Sequence, residues 1–170
     1  MKTIKIQLYN FGELSESAKE RAINDNRYDI LDYYWYDSVF TDALNIGLKI
    51  TSFDLDRGRS IKGEAVNGAF CLAEAILKWH GEDTDTYKLA AEFMIEYKKI
   101  PETEEGYLDI GYFELKEIEQ EFTGSILECY LTMLQNEFDY LTSDEGVAQR
   151  FNEEVFGENY LFTEDGKIYA

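Results

Sequence analysis

The side chains most able to do chemistry in this 170-residue chain are carboxylates. Glu114, Glu117, Glu121 and Glu128 are spaced three, four and seven apart. On a helix they share one face, while Leu115, Ile118 and Phe122 point elsewhere. A helical turn rises about 5.4 Å and phosphates recur about every 3.4 Å along one DNA strand, so carboxylates at this spacing approximate a phosphate row. Glu102, Glu104 and Glu105 precede them and add to the same acidic stretch. Between residues 102 and 165 there are 18 Asp or Glu against only Lys116 and Arg150. Like charges on one helix face repel one another, so this concentration carries a cost. Two readings meet that cost: a solvated face that keeps the protein soluble, or a surface shaped for a cationic partner.

A second candidate is the aromatic run Tyr33-Tyr34-Trp35-Tyr36, with Tyr28 and Phe40 nearby. Four consecutive helical positions spread over about 300°, so at least one ring must leave the core, and Tyr and Trp are favoured interface anchors. Tyr33 and Tyr36 are the expected outward pair, with Tyr34 and Trp35 inward. A third is the basic hairpin tip Arg57, Arg59 and Lys62. It pairs locally with Asp54, Asp56 and Glu64, or docks on an acidic partner, or on the acidic half of a second copy in a homodimer.

Catalytic constellations are sparse. Asp54 and Asp56 fall on one face of a strand and Glu64 follows nearby, the one set suggesting Mg²⁺. The calcium-loop template fails there, because Gly58 occupies position five instead of six and Ala65 stands at position twelve. Asp109 with Glu114-Leu115-Lys116 has the residue types of a restriction-type nuclease, but on a helical segment and at short spacing. His80, the sole histidine, sits at a helix end, where it can cap carbonyls. No phosphate loop or dinucleotide-binding glycine motif accompanies these groups, so no catalytic residue and no cofactor is assigned. A metal-dependent hydrolase or nuclease on Asp54, Asp56 and Glu64 is the enzymatic alternative. Cys71 and Cys129 lie in helical segments and read as reduced core residues.

The elements that must position these groups follow from periodicity. Thr3 to Tyr9 alternates as a strand with Ile4, Ile6 and Leu8 inward, and Ser15 or Ser17 can cap a helix. A second helix is expected over 29–46, ending at Gly47. Arg57-Gly58 turns a hairpin near 48–66, and Asp165-Gly166 turns another near 159–169. Asn67 is a candidate cap for a helix ending at His80-Gly81, and another helix follows over 84–99 with Met94 and Ile95 inward. A long helix over about 112–141 and a short one near 144–155 complete the chain. The result is one α+β domain over 1–170, a small antiparallel sheet covered by five or six helices.

The net charge of −19 argues against direct binding of nucleic acid, since phosphate affinity comes from cations. Residues 1–80 hold 10 basic and 12 acidic side chains, while residues 81–170 hold 6 and 23. The excess therefore belongs to the second half. Neither a leader-like apolar stretch nor an apolar run near membrane-spanning length is visible, so no membrane partner is expected.

Three stretches carry a resemblance: Tyr9-Asn10-Phe11-Gly12-Glu13-Leu14-Ser15-Glu16-Ser17-Ala18-Lys19-Glu20-Arg21-Ala22, Gly47-Leu48-Lys49-Ile50-Thr51-Ser52-Phe53-Asp54-Leu55-Asp56-Arg57-Gly58, and Tyr160 to Tyr169. Together they resemble a family of small accessory proteins encoded by tailed bacteriophages and prophages. The resemblance implies work in the cytoplasm of a bacterial host and transfers no catalytic residues. With the acidic second half, it leads to the expectation of an anti-defence inhibitor. Such a protein, of anti-CRISPR or anti-restriction type, would hold a host protein by its basic nucleic-acid-binding groove. A self-assembling accessory protein is the structural alternative.

Overall fold

The computed structural model describes residues 5–100, 109–153 and 160–169, and of 109–111 the helical backbone alone. A 3-10 turn, Phe11–Glu13, is followed by α1 (Glu16–Asn26), α2 (Asp37–Asn45), β1 (Leu48–Asp54), β2 (Ser60–Ala65), α3 (Ala69–Trp79), α4 (Asp85–Tyr97), α5 (Asp109–Leu141) and α6 (Asp144–Asn152). The class is α+β, with one two-stranded antiparallel sheet among the described residues. The chain divides into two compact units, Met1–Trp35 with Asn136–Ala170, and Tyr36–Gln135.

The first unit closes around a small apolar core of Phe11, Leu14, Ala18, Ala22, Val147, Phe151 and Phe162. The rings of Phe11, Phe151 and Phe162 meet pairwise at centroid distances of 5.0 to 5.9 Å. Ser15 starts α1 by accepting from the Ala18 N–H, and Ser143 starts α6 by accepting from the Gly146 N–H. Arg27 leaves the end of α1 to donate to the Thr142 carbonyl and pair with Asp144, so one guanidinium serves a helix end and the next helix start.

Of the expected N-terminal strand, Thr3 and Ile4 lie outside the described residues, and in the described part Tyr9 bridges Phe162 while Ile6 is exposed instead of buried. Its neighbour has no more edge to offer, because the chain turns back at Thr163, where the Gly166 N–H donates to the Thr163 carbonyl. The C-terminal hairpin is accordingly one bridge, Phe162 with Ile168. Gly166 takes a left-handed φ of 84° at its tip and rests against the Ala18 backbone carbonyl. Asp165 beside it is held below the usual carboxylate range, chiefly because the Thr163 hydroxyl donates to it and also because Arg21 lies 2.9 Å away.

The second unit has the larger core, in which Leu48, Ile50, Leu72, Ile76, Phe93, Phe122, Ile126 and Tyr130 are buried together. The sheet pairs Leu48 with Ala65 and Ile50 with Gly63, slips at Thr51, then pairs Phe53 with Ile61. That bulge restores the covered face: without it Ser52 would point inward and Phe53 outward. Gly63 sits opposite, where an added Cβ would meet the Lys49 carbonyl at 2.6 Å and the Leu127 side chain at 2.8 Å.

The helix expected over 29–46 begins only at Asp37. The Tyr34 N–H is taken by the Asp32 side chain at 2.9 Å, a local turn that competes with the helical ladder. Residues 33–36 therefore lie in turns. Gly68 precedes α3 in place of the expected Asn67 cap. Cys71 is exposed instead of belonging to the core, and Ile95 and Trp79 also face outward. Each stands on the outer side of an amphipathic helix whose inner stripe is already filled by Leu72, Ile76, Ala90 and Phe93. Among the described residues no helix is long and apolar enough to cross a membrane.

Replacing Gly166 by Ala puts a Cβ 2.1 Å from the Ala18 carbonyl oxygen at a φ that L-residues avoid. The variant should lose about 2 kcal/mol or more, a fall of roughly 5–10 °C in thermal midpoint. Gly12→Ala, with nothing within 4 Å of the added atom, should melt within a degree or two of the wild type.

Candidate functional site

The acidic helix face forms as its spacing requires. Glu114, Glu117, Glu121 and Glu128 are all exposed on α5, while Leu115, Phe122, Ile126 and Tyr130 are buried on its other side. From Glu114 to Glu128 the row covers ~21 Å of helix axis. Lys116 pairs with Glu119 at 3.0 Å, and its ammonium is pushed above the ordinary lysine range by that hydrogen bond and charge.

Sequence spacing along α5 does not reveal the second row, which α4 supplies. Thr84 caps α4 through the Tyr87 N–H, and the helix turns Ala90 and Phe93 inward, which leaves Glu92 and Glu96 on the outside. Phe93 stacks on Phe122 of α5, with centroids 4.3 Å apart and planes 16° from parallel. Beyond the stack lies an open groove of about 210 Å³ lined by Leu89, Phe93, Ile118, Phe122 and Ser125, with Glu92, Glu96 and Glu121 at its rim. Toward the start of α4, Asp85 and Glu128 both act on the Cys129 thiol, which burial first, and then these two charges, push above its usual range. Lys88 stands 3.5 Å from Asp85. The helices thus run antiparallel with carboxylates from both along their shared surface. The i,i+4 spacing of Glu92 and Glu96 was the available signal for this second row.

Other expected residues are placed differently. Tyr33 is 78% exposed and meets Tyr34 edge-on at 4.8 Å. Tyr36 is half-buried, its ring 4.9 Å from Phe40 and 5.4 Å from Phe53, so it packs over the sheet instead of forming an outward anchor. Trp35 is half-buried beside Phe138, and Tyr34, expected inward, is exposed. Glu102, Glu104 and Glu105 lie outside the described residues, as does the Asp109 side chain.

The hairpin does not gather its three carboxylates. Asp54 pairs with Ser60 in the register and accepts from the Asp56 N–H, whereas Glu64 stands opposite Lys49, four residues farther along β2. No group of three potential ligands meets among the described residues. Of the basic tip, Arg57 lies 3.8 Å from Asp56 and Arg59 donates to the Thr132 hydroxyl on α5.

His80 ends α3 with its backbone, whose N–H donates to the Ile76 carbonyl, and its ring does something else. Nδ1 lies 2.7 Å from the Thr86 hydroxyl, which lies 3.1 Å from that of Thr84, which donates to the Gly81 carbonyl. Passing the protons along this chain makes Thr86 the donor to Thr84 and His80 Nδ1–H the donor to Thr86. Nε2 then faces Asp42 at 3.9 Å, and Asp42 accepts from the Tyr130 hydroxyl at 2.6 Å. Tyr130 is held far above its ordinary range, by burial first and by Asp42 second. Thr86 is 1% exposed, so this chain of hydroxyls ties the end of α3 to α4, as the Tyr130–Asp42 bond ties α5 to α2, and presents no accessible nucleophile.

What the α4–α5 surface can do is attract cations. No protein-family model, no curated protein and no solved structure matches this chain.

If the α5 row is a self-repelling surface, the variant Glu114→Gln/Glu117→Gln/Glu121→Gln should melt ~1–4 °C above the wild type at low salt. Added NaCl should raise the wild-type midpoint and narrow the difference, as read by circular dichroism.

Proposed function

We propose that this protein is a phage-encoded, non-enzymatic inhibitor of anti-defence type, of the anti-CRISPR or anti-restriction kind. It acts in the cytoplasm of the bacterial host, binding a nucleic-acid-handling protein one to one. Its acidic surface lies where DNA or RNA would lie in the basic groove of the target.

The observation that carries this reading is the exposed carboxylate row of α5, doubled by Glu92 and Glu96 of α4. Paired rows present charge on two lines, as a nucleic-acid groove does with its two backbones. A merely soluble surface has no need to align like charges at a cost in helix stability. Association through such a surface is fast and salt-sensitive, because long-range attraction steers the encounter. The hydrolase alternative lacks a comparable support, since the hairpin register separates Glu64 from Asp54.

Host protein retained on the immobilised wild type at low salt should be a basic nucleic-acid-binding protein. It should be released by high salt or by competing duplex DNA. Charge reversal of Glu114, Glu117 and Glu121 to Lys should abolish retention, whereas retention unchanged by both salt and reversal would sink the mimicry reading.

A further inference from the structure

Phosphate imitation needs only carboxylates on a solvated helix, yet the α4–α5 surface is not flat. Between the two acidic rows runs the groove whose floor is Leu89, Phe93, Ile118 and Phe122 and whose rim is Glu92, Glu96 and Glu121. Phe93 and Phe122 are 4% and 5% exposed, so the floor is the outer surface of the hydrophobic core itself.

We infer that this groove is a docking site for a polypeptide segment of the partner that alternates Lys or Arg with apolar residues. The apolar side chains would lie on the Phe93–Phe122 floor and the cationic heads on Glu92, Glu96 and Glu121, with the aliphatic stems spanning between them. This rests on reading the acidic face as a binding surface, and it names the chemistry of what that surface holds.

Charge and floor together select the occupant. A neutral apolar segment covering the floor would strip water from three carboxylates without replacing it, which is costly. A strongly hydrated cation without a stem would satisfy the rim and leave the apolar floor wet. A segment with both residue types meets both demands: its apolar side chains cover the floor, and the long stems of Lys and Arg let the charged heads reach the rim. Coulomb attraction there is stronger than on an open surface, since the floor is a low-dielectric wall. The chain's own segment 101–108 is a poor occupant, carrying Glu102, Glu104 and Glu105 and no Lys or Arg.

The test uses the full chain and three labelled peptides read by fluorescence anisotropy: an amphipathic Lys/Leu peptide, an oligolysine of equal charge, and a Gln/Leu analogue. The Lys/Leu peptide should bind the wild type at least about tenfold more tightly than either other peptide, the scale of one apolar side chain leaving water. Ser125→Trp, which fills the groove without changing charge, should remove that tenfold advantage and leave oligolysine binding as it was. Leu89→Gln, which roughens the floor without filling it, should do the same if the Trp variant fails to fold. Oligolysine binding as tightly as the Lys/Leu peptide would overturn the groove and leave the acidic-surface reading standing. If neither cationic peptide binds, both readings fall. Self-association of the wild type that Ser125→Trp abolishes would assign the groove to a second copy, and overturn the proposal.

Discussion

The second unit depends on one helix being two things at once. Along α5, Leu115, Phe122, Ile126, Tyr130 and Leu134 must leave water, while Glu114, Glu117, Glu121 and Glu128 must stay in it. The charged face alone would disfavour the helix, because its carboxylates repel and no cation at i,i+4 answers them. Burial of the opposite stripe supplies the difference, at roughly 1.5–3 kcal/mol for each large apolar side chain removed from water. Charge can therefore be concentrated on α5 only because the helix is held from behind. The Phe93–Phe122 stack is the point where that support passes to α4.

Polar groups inside the unit are handled sparingly. Tyr130, on the buried side of α5, carries a hydroxyl that has to find an acceptor, and Asp42 of α2 provides it. On the other side of Asp42, the imidazole of His80 donates its Nδ1–H to the Thr86 hydroxyl. Nε2 has no hydrogen-bond partner among the described residues. Two short side-chain bridges, Tyr130 to Asp42 between α5 and α2 and His80 to Thr86 between α3 and α4, thus join the helices in pairs behind the acidic face.

Much of this architecture was legible from residue order, and the failures share a cause. Ser15, the Arg57-Gly58 turn, the long helix and the Asp165-Gly166 turn announce themselves through local chemistry: a cap, turn glycines, left-handed at Gly166, and a sustained period. The late start of α2 was not visible, because the Asp32 side chain competes for a backbone N–H that periodicity assigns to the helix. Ile6 alternates correctly but meets no edge, a fact that resides in the Thr163 turn far along the chain. On the site, the α5 row was readable because one helix holds it. The groove was not, since it requires knowing that Phe93 and Phe122, 29 positions apart, stack face to face. The grouping of Asp54, Asp56 and Glu64 failed because Glu64 stands opposite Lys49.

The slip at Thr51 has a consequence for how sequences of this shape can diverge. Strands of a simple hairpin tolerate paired insertions and deletions, since two residues added to each side preserve every face. Here β1 carries one residue more than β2 across the same stretch, and Ile50 and Phe53 point the same way only on that account. Loss of Thr51 would instead leave a regular ladder in which Phe53, then two positions from Ile50, still faces Tyr36 and Phe40. Alignments among relatives should thus tolerate a one-residue gap at 51–52, even where the rest of β1 is gap-free.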